Sequence, residues 1–160
     1  GKSGPFFALP IEAAALCAGL DPNLSHSIGN ATLDLGCLFQ VRDDILDLFG
    51  DKGRGSRGND LREGKVSALV VCHLEHCPED REALVDTLRR DRDETSDADI
   101  AFWTERFQAS GGLKTACGMV ADLTEQVSTS PALESEPNLR ELTRRTATAI
   151  AKPIAALANQ

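Results

Sequence analysis

Apolar residues recur at three- and four-residue spacing along most of the chain, and this spacing marks one face of an α-helix. The longest such run predicts a helix from about Ser25 to Phe49, which Gly50 ends. Before it, the alanine- and leucine-rich stretch Phe6 to Leu20 predicts a helix that Pro10 kinks, or that follows a short turn ending there. The alternation typical of strands is not found, so the pattern predicts an all-α fold.

Further helices are predicted downstream, each delimited by a proline, a glycine pair or a capping residue. The third begins near Asp60 or Glu63 and is broken by Pro78. The others are expected near residues 79–92, 97–110, 113–127 and 139–157. About six or seven helices without an internal repeat predict one helical-bundle domain over residues 1–160.

Composition narrows the function classes. The 17 basic and 25 acidic residues give a net charge of −8, which argues against binding of nucleic-acid phosphates. The longest apolar stretch is interrupted by Glu12, so no membrane span is expected. Five scattered cysteines indicate reduced thiols and a cytoplasmic location. The chain starts at Gly1 without a methionine or a signal sequence, so we expect it to be a fragment.

A zinc site is conceivable where two cysteines and two histidines fall within one predicted helix, in the sequence CHLEHC (residues 72–77). This spacing differs from that of common zinc motifs, and a half-buried helix explains it equally well. We therefore expect His73 and His76, like His26, to be surface or helix-packing residues.

The densest chemical signal lies at the end of the second predicted helix. Gln40, Asp43, Asp44 and Asp47 follow one another at helical spacing, so their polar groups share one face. The like-charged pair of Asp43 and Asp47 costs about 0.2–0.5 kcal/mol, and the helix dipole adds to this cost. A divalent cation would offset it, and an all-oxygen ligand set suits magnesium, with phosphate completing the coordination. The alternative is a solvated acidic face.

Basic residues surround this acidic segment. Lys2 opens the preceding predicted helix, and five more follow Asp47 within 18 residues: Lys52, Arg54, Arg57, Arg62 and Lys65. The intervening DKGRGSRGN is glycine-rich and predicts an exposed, mobile loop. Cations of this kind are suited to closing over an anionic, phosphate-bearing substrate.

The segments FQVRDDILD and GNDLREGK, residues 39–47 and 58–65, resemble the second aspartate-rich motif and following loop of the trans-isoprenyl diphosphate synthases. The opening GKSGPFFALPIEAAALCAG resembles the stretch that carries the family's Lys-Thr pair. The resemblance implies an all-helical isoprenoid synthase fold, usually homodimeric, that condenses an allylic prenyl diphosphate with isopentenyl diphosphate. The product expected is a short-chain trans-prenyl diphosphate of the geranylgeranyl or farnesyl class.

The resemblance also implies roles for individual residues. It assigns direct coordination of magnesium, or alternatively manganese, to Asp43, with Asp44 and Asp47 acting directly or through water. Lys2 would contact the allylic diphosphate, Ser3 would lie near the reacting carbon, and Gln40 would lie beside the metal. Lys65 would pair with aspartates or with diphosphate.

Two departures from the family pattern stand out. The diphosphate-binding lysine of the loop is replaced by an arginine, either Arg54 or Arg57. The family's first aspartate-rich motif, which precedes the Lys-Thr stretch, is not among these 160 residues, so we expect the isolated chain to be inactive. Two other functions stay open: a terpene cyclase-like enzyme that ionises a diphosphate, and a non-catalytic helical partner subunit that retains the motif.

Overall fold

In a computed structural model, residues 3–50 and 57–157 are described, and their regular structure is entirely helical. Short 3₁₀ turns cover Pro78–Asp80, Arg92–Glu94 and Pro131–Leu133. The eight α-helices of these ranges are α1 (Ser3–Cys17), α2 (Pro22–Phe49), α3 (Asn59–Arg62), α4 (Ala68–His76), α5 (Arg81–Leu88), α6 (Asp97–Ala109), α7 (Gly112–Ser128) and α8 (Pro137–Ala151). The all-α prediction is confirmed, and none of these helices is both long and apolar enough to cross a membrane.

The chain divides into two compact units. The first consists of residues 1–42 and 119–152, and the second of residues 43–118 and 153–160. Helices α2 and α7 each contribute residues to both units. The units are therefore described separately.

In the first unit, α1 and α2 run antiparallel at very close range. A Cβ atom placed on Gly36 would lie 2.4 Å from the Cα of Gly4, and one placed on Gly29 would lie 2.9 Å from the Cβ of Glu12. Glycine at these positions lets the two backbones approach. At the other end of this contact, the carboxylate of Glu12 lies 3.1 Å from Nδ1 of His26.

The turn between α1 and α2 has a clear cause in the sequence. Gly19 ends α1 with a φ of 83°, and its left-handed conformation allows Leu20 to donate to the carbonyl of Ala15. Asp21 then accepts hydrogen bonds from the backbone amides of Asn23 (2.9 Å) and Leu24 (3.1 Å). Pro10 is accommodated within the single helix α1.

In the second unit, the predicted helix from about residue 60 to 77 is wrong, because the chain is divided into α3 and α4. Gly64 has a φ of 66°, and a Cβ atom there would lie 2.4 Å from the carbonyl oxygen of Leu88. Ser67 then caps α4 by accepting from the amide of Val70. The left-handed glycine thus interrupts a helix that the apolar spacing alone would continue.

The next helices agree more closely with the sequence pattern. Ser96 caps α6 with a capping box that Asp99 completes. Trp103 of α6 is 2% exposed, and its indole N–H donates to Oγ1 of Thr87 at 3.0 Å. The predicted helix over residues 79–92 is shorter, because α5 covers only Arg81–Leu88.

Candidate active site

The acidic end of α2 carries three aspartates with different exposure. Asp43 is exposed, whereas Asp44 and Asp47 are only 7% and 4% exposed. Burying a carboxylate is costly unless hydrogen bonds replace its hydration. The surroundings of the two buried carboxylates therefore decide what this segment can do.

Asp44 is bound to the beginning of α4. Its Oδ2 accepts a hydrogen bond from the backbone amide of Ala68 at 2.7 Å, across 24 residues of sequence. The amides of a first helical turn have no partner within the helix, and the helix dipole favours an anion there. Asp44 therefore fixes the start of α4 against the end of α2.

Asp47 does the same for the beginning of α3. Its Oδ2 accepts from the backbone amide of Asp60 at 3.0 Å, and its own carbonyl accepts from Gly58 at 3.0 Å. Gly58 has a φ of 76°, so the chain turns sharply into α3 at this point. The loop sequence GNDLREGK is thus attached to the acidic helix through two of its backbone amides, one bound by the side chain and one by the carbonyl of Asp47.

These contacts revise the expected electrostatics. The sequence predicts that a divalent cation offsets the negative charge, but backbone amides at the starts of α3 and α4 already offset part of it at Asp44 and Asp47. Asp43 is the exposed member of the set. Its carboxylate supplies oxygen donors of the kind that magnesium or manganese prefers, so the residues fit such an ion.

The first unit joins two other predicted site residues. The hydroxyl of Ser3 donates to Oε1 of Gln40 at 3.1 Å, linking the first turn of α1 to α2. The rings of Phe7 and Phe39 stand beside this contact with their centroids 6.1 Å apart. Lys2, the third predicted residue of this region, lies outside the described residues.

The basic residues after α2 do not have equal surroundings. Arg57 is exposed, whereas Lys52 and Arg54 lie outside the described residues. Arg62 binds the carbonyl of Thr95 and, at 2.5 Å, a carboxylate oxygen of Asp97. Arg62 therefore joins α3 to the start of α6, a structural role that its place in the basic cluster did not indicate.

Lys65 is held by two carboxylates of its own loop. Its Nζ lies 2.9 Å from Asp60 and 2.6 Å from Glu63, and its side chain is 57% exposed. The hydrogen bond that Lys65 donates to Glu63, followed by the one that it donates to Asp60, raises the pKa of Lys65 above its usual range. Lys65 is thus a fixed positive charge on the loop that Asp47 anchors.

Arg92 is a residue of this region that the sequence did not single out. It donates to Glu63 at 2.8 Å and to the side chain of Asn59 at 3.0 Å. These partners lie 29 and 33 residues earlier in the chain, so no local spacing points to the contact. Arg92 therefore attaches the loop GNDLREGK to the 3₁₀ turn Arg92–Glu94.

Comparison with known proteins relates the matched residues to a family. The family model described as Polyprenyl synthetase matches residues 1–105. The farnesyl pyrophosphate synthase of Rattus norvegicus is 43% identical over 81 residues, which are 49% of this chain and 23% of the rat enzyme. The chain thus spans less than a quarter of that relative's length in the match.

Solved structures extend the similarity over nearly the whole chain. A geranylgeranyl pyrophosphate synthase superposes with a TM-score of 0.79 at 22% identity, over 94% of this chain and 48% of that protein. The geranylgeranyl pyrophosphate synthase of Corynebacterium glutamicum, complexed with isoprenyl diphosphate and magnesium, gives a TM-score of 0.72 at 29% identity, over 92% and 42% of the two chains. The all-α isoprenoid synthase fold is therefore confirmed, over about half the length of these proteins.

Proposed function

Because the chain belongs to the polyprenyl synthetase family, we propose that it is the part of a trans-prenyltransferase that carries the second aspartate-rich motif. The reaction is the condensation of an allylic prenyl diphosphate with isopentenyl diphosphate to a short-chain trans-prenyl diphosphate of the geranylgeranyl or farnesyl class. The observation that carries this proposal is the different surroundings of the three aspartates. Asp43 is exposed, whereas Asp47 and Asp44 accept hydrogen bonds from backbone amides at the starts of α3 and α4.

Asp43 is the proposed direct ligand of magnesium or manganese. Its neighbours Asp44 and Asp47 each use one carboxylate oxygen for a backbone amide, so in this proposal they act on the ion at most through their other oxygen or through water. Rigid support of this kind limits the movement of a metal-binding side chain.

Positive charge on the diphosphate side comes from Arg57 and Lys65 in this proposal. Arg57 is exposed and offers a guanidinium fork that matches phosphate oxygens. Lys65 contacts diphosphate only as a third partner beside Asp60 and Glu63. Lys2 and Arg54 keep their expected diphosphate-binding roles as predictions, because they lie outside the described residues.

The chemistry requires charge stabilisation at the leaving diphosphate. A bound divalent ion supplies Lewis acidity to that group. In this proposal, the residues of this chain hold and orient the diphosphate. Asp43 binds the divalent ion, and the exposed basic side chains bind the phosphate oxygens. Ser3 and Gln40, which hydrogen-bond to each other at 3.1 Å, are proposed to lie at the allylic carbon and beside the metal.

The proposal also covers the cellular compartment and the oligomeric state of the protein. All five cysteines are free, which fits a reducing compartment such as the cytoplasm. A homodimer is the assembly that the family resemblance implies. Sedimentation of the full-length protein tests the dimer directly.

A thermal-shift experiment on the full-length protein tests the metal and diphosphate site. Magnesium with an allylic diphosphate should raise Tm, because a ligand at about 100 times its Kd stabilises the folded state by about 2.7 kcal/mol. Asp43→Ala should abolish the shift. Asp34→Ala, the same substitution earlier in α2, should retain it.

Product analysis separates this function from its rivals. With labelled farnesyl diphosphate and isopentenyl diphosphate, a prenyltransferase yields a longer diphosphate, whereas a terpene cyclase yields a hydrocarbon from farnesyl diphosphate alone. A thermal shift without either product would indicate a non-catalytic subunit. If magnesium and an allylic diphosphate do not raise the Tm of the unsubstituted full-length protein, the proposed site is wrong.

A further inference from the structure

The end of α4 brings together three potential metal ligands outside the site described above. His73, Cys77 and Asp80 each offer one ligand atom, and these atoms all lie within 4.8 Å of one another. His73 lies on the last turn of α4, Cys77 caps the end of that helix, and Asp80 lies on the 3₁₀ turn that follows. The closest pair is Nε2 of His73 and Oδ2 of Asp80, which are 2.9 Å apart.

The orientation of His73 is set from its other side. This side chain is fully buried, and its Nδ1 lies 2.8 Å from Oγ of Ser110. The Ser110 hydroxyl donates to the carbonyl of Phe107 at 3.2 Å and accepts from the amide of Gly112 at 3.2 Å. With the ring proton on Nδ1, where the Ser110 oxygen accepts it, the lone pair of Nε2 points at Asp80.

Asp80 is ionised and held in place. Arg106 donates to its two carboxylate oxygens, at 2.6 Å from Nε and 2.9 Å from Nη2. A carboxylate oxygen and an imidazole nitrogen thus face each other at 2.9 Å, where either a proton on Nε2 or a metal ion can lie between them.

The third ligand decides which metal is suitable. The thiol of Cys77 is half-buried, and its sulfur lies within 4.8 Å of the other two ligand atoms. A sulfur donor beside nitrogen and oxygen suits zinc, which binds and stabilises a thiolate, better than magnesium, which prefers oxygen alone.

We propose that His73 Nε2, Cys77 Sγ and Asp80 Oδ2 form a zinc site, with water as the fourth ligand. Ligand atoms about 2.0 Å from a tetrahedral ion lie about 3.3 Å apart, so the His73–Asp80 pair has to open by only about 0.4 Å. Ser110 and Arg106 orient the ligands from behind, as the outer partners of metal-bound histidine and carboxylate do.

This site differs from the one suggested by the sequence CHLEHC. Cys72 is buried at 2% exposure and belongs to the core, and His76 lies 2.8 Å from the hydroxyl of Thr115. Asp80, which lies outside that sequence, replaces them. The ion would fasten the end of α4 to the following turn and, through Arg106, to α6.

Cobalt spectroscopy tests the proposal, because cobalt(II) occupies zinc sites and gives a charge-transfer band only when a thiolate is bound. The parent protein for these measurements is a double variant, Cys17→Ser and Cys37→Ser, which lacks the two exposed thiols. Under reducing conditions, cobalt chloride should produce the band at a single cobalt ion per chain, and zinc chloride should bleach it. Excess magnesium should leave it unchanged, which separates this site from the proposed carboxylate site.

Variants in the same background identify the ligands. Cys77→Ser should lose the band, whereas Cys72→Ser, the same substitution five residues earlier and within α4, should keep it. Ser110→Ala should keep the band but bind zinc about 10- to 100-fold more weakly in competition with a chromophoric chelator. Circular dichroism confirms that each variant is folded. No band in the parent, or a band that persists in folded Cys77→Ser, would overturn the proposal.

Discussion

At the end of α2, two adjacent aspartates have opposite surroundings. Asp43 is exposed, whereas Asp44 is 7% exposed and accepts a hydrogen bond from Ala68 at the start of α4. A residue can therefore belong to a metal-binding motif by sequence and hold the fold together by position. The two roles respond differently to substitution, which gives a direct test.

Asp44→Ala should destabilise the protein by about 1–3 kcal/mol, because it leaves the partly buried amide of Ala68 without its acceptor. Asp44→Asn should cost less, because the amide oxygen still accepts from Ala68. The free energy of unfolding in urea measures both effects. Asp34→Ala, on the same helix, is the control and should change it by about 0.5 kcal/mol or less; an equal loss in Asp34→Ala would contradict the capping role.

The sequence could indicate the site only as far as local spacing reaches. Helical spacing was enough to group Asp43, Asp44 and Asp47 on one helix. It could not reveal that Asp44 and Asp47 bind amides 24 and 13 residues later, since those contacts depend on tertiary packing. For the same reason, Arg62 was grouped with the substrate-facing cations although Thr95 and Asp97 bind it.

At the scale of helices, glycine decides both where elements end and how closely they pack. Gly4 and Gly36 permit the close contact of α1 with α2, and this contact positions Ser3 beside Gln40. In the second unit, Gly64 separates α3 from α4. The apolar pattern correctly predicted most helices, but it merged these two because apolar spacing does not register a left-handed residue.

Gly36→Ala should destabilise the protein by about 1–3 kcal/mol or more, because the new methyl group would overlap the backbone of Gly4. Gly118→Ala is the matched control in α7, where a Cβ meets no atom within 4 Å. That substitution should stabilise the helix by about 0.5–1 kcal/mol. Thermal unfolding of both variants checks the prediction, and a neutral Gly36→Ala would disprove the close contact.

At the scale of the molecule, the chain has the fold of about half of a prenyl synthase. It covers 48% of one solved geranylgeranyl pyrophosphate synthase and 42% of another. Its sequence contains a single D-D-x-x-D segment, residues 43–47. The resemblance to the family implies a second aspartate-rich motif for the proposed reaction, and these residues supply one of the two.

The 160-residue chain alone should therefore produce no prenyl diphosphate from an allylic diphosphate and labelled isopentenyl diphosphate. The full-length protein, assayed in parallel with magnesium, should incorporate the label. Extraction and chromatography of the product measure the difference. Turnover by the 160 residues alone would show that one aspartate-rich motif suffices.

The burial of Trp103 gives the protein an optical reporter of its own. It is the single tryptophan of a chain without tyrosine, so long-wavelength ultraviolet emission arises from one known position. Its indole is 2% exposed and its ring centroid lies 6.0 Å from that of His73. Fluorescence therefore follows the α4–α6 packing in real time without an added dye, because the imidazole and the indole belong to those two helices.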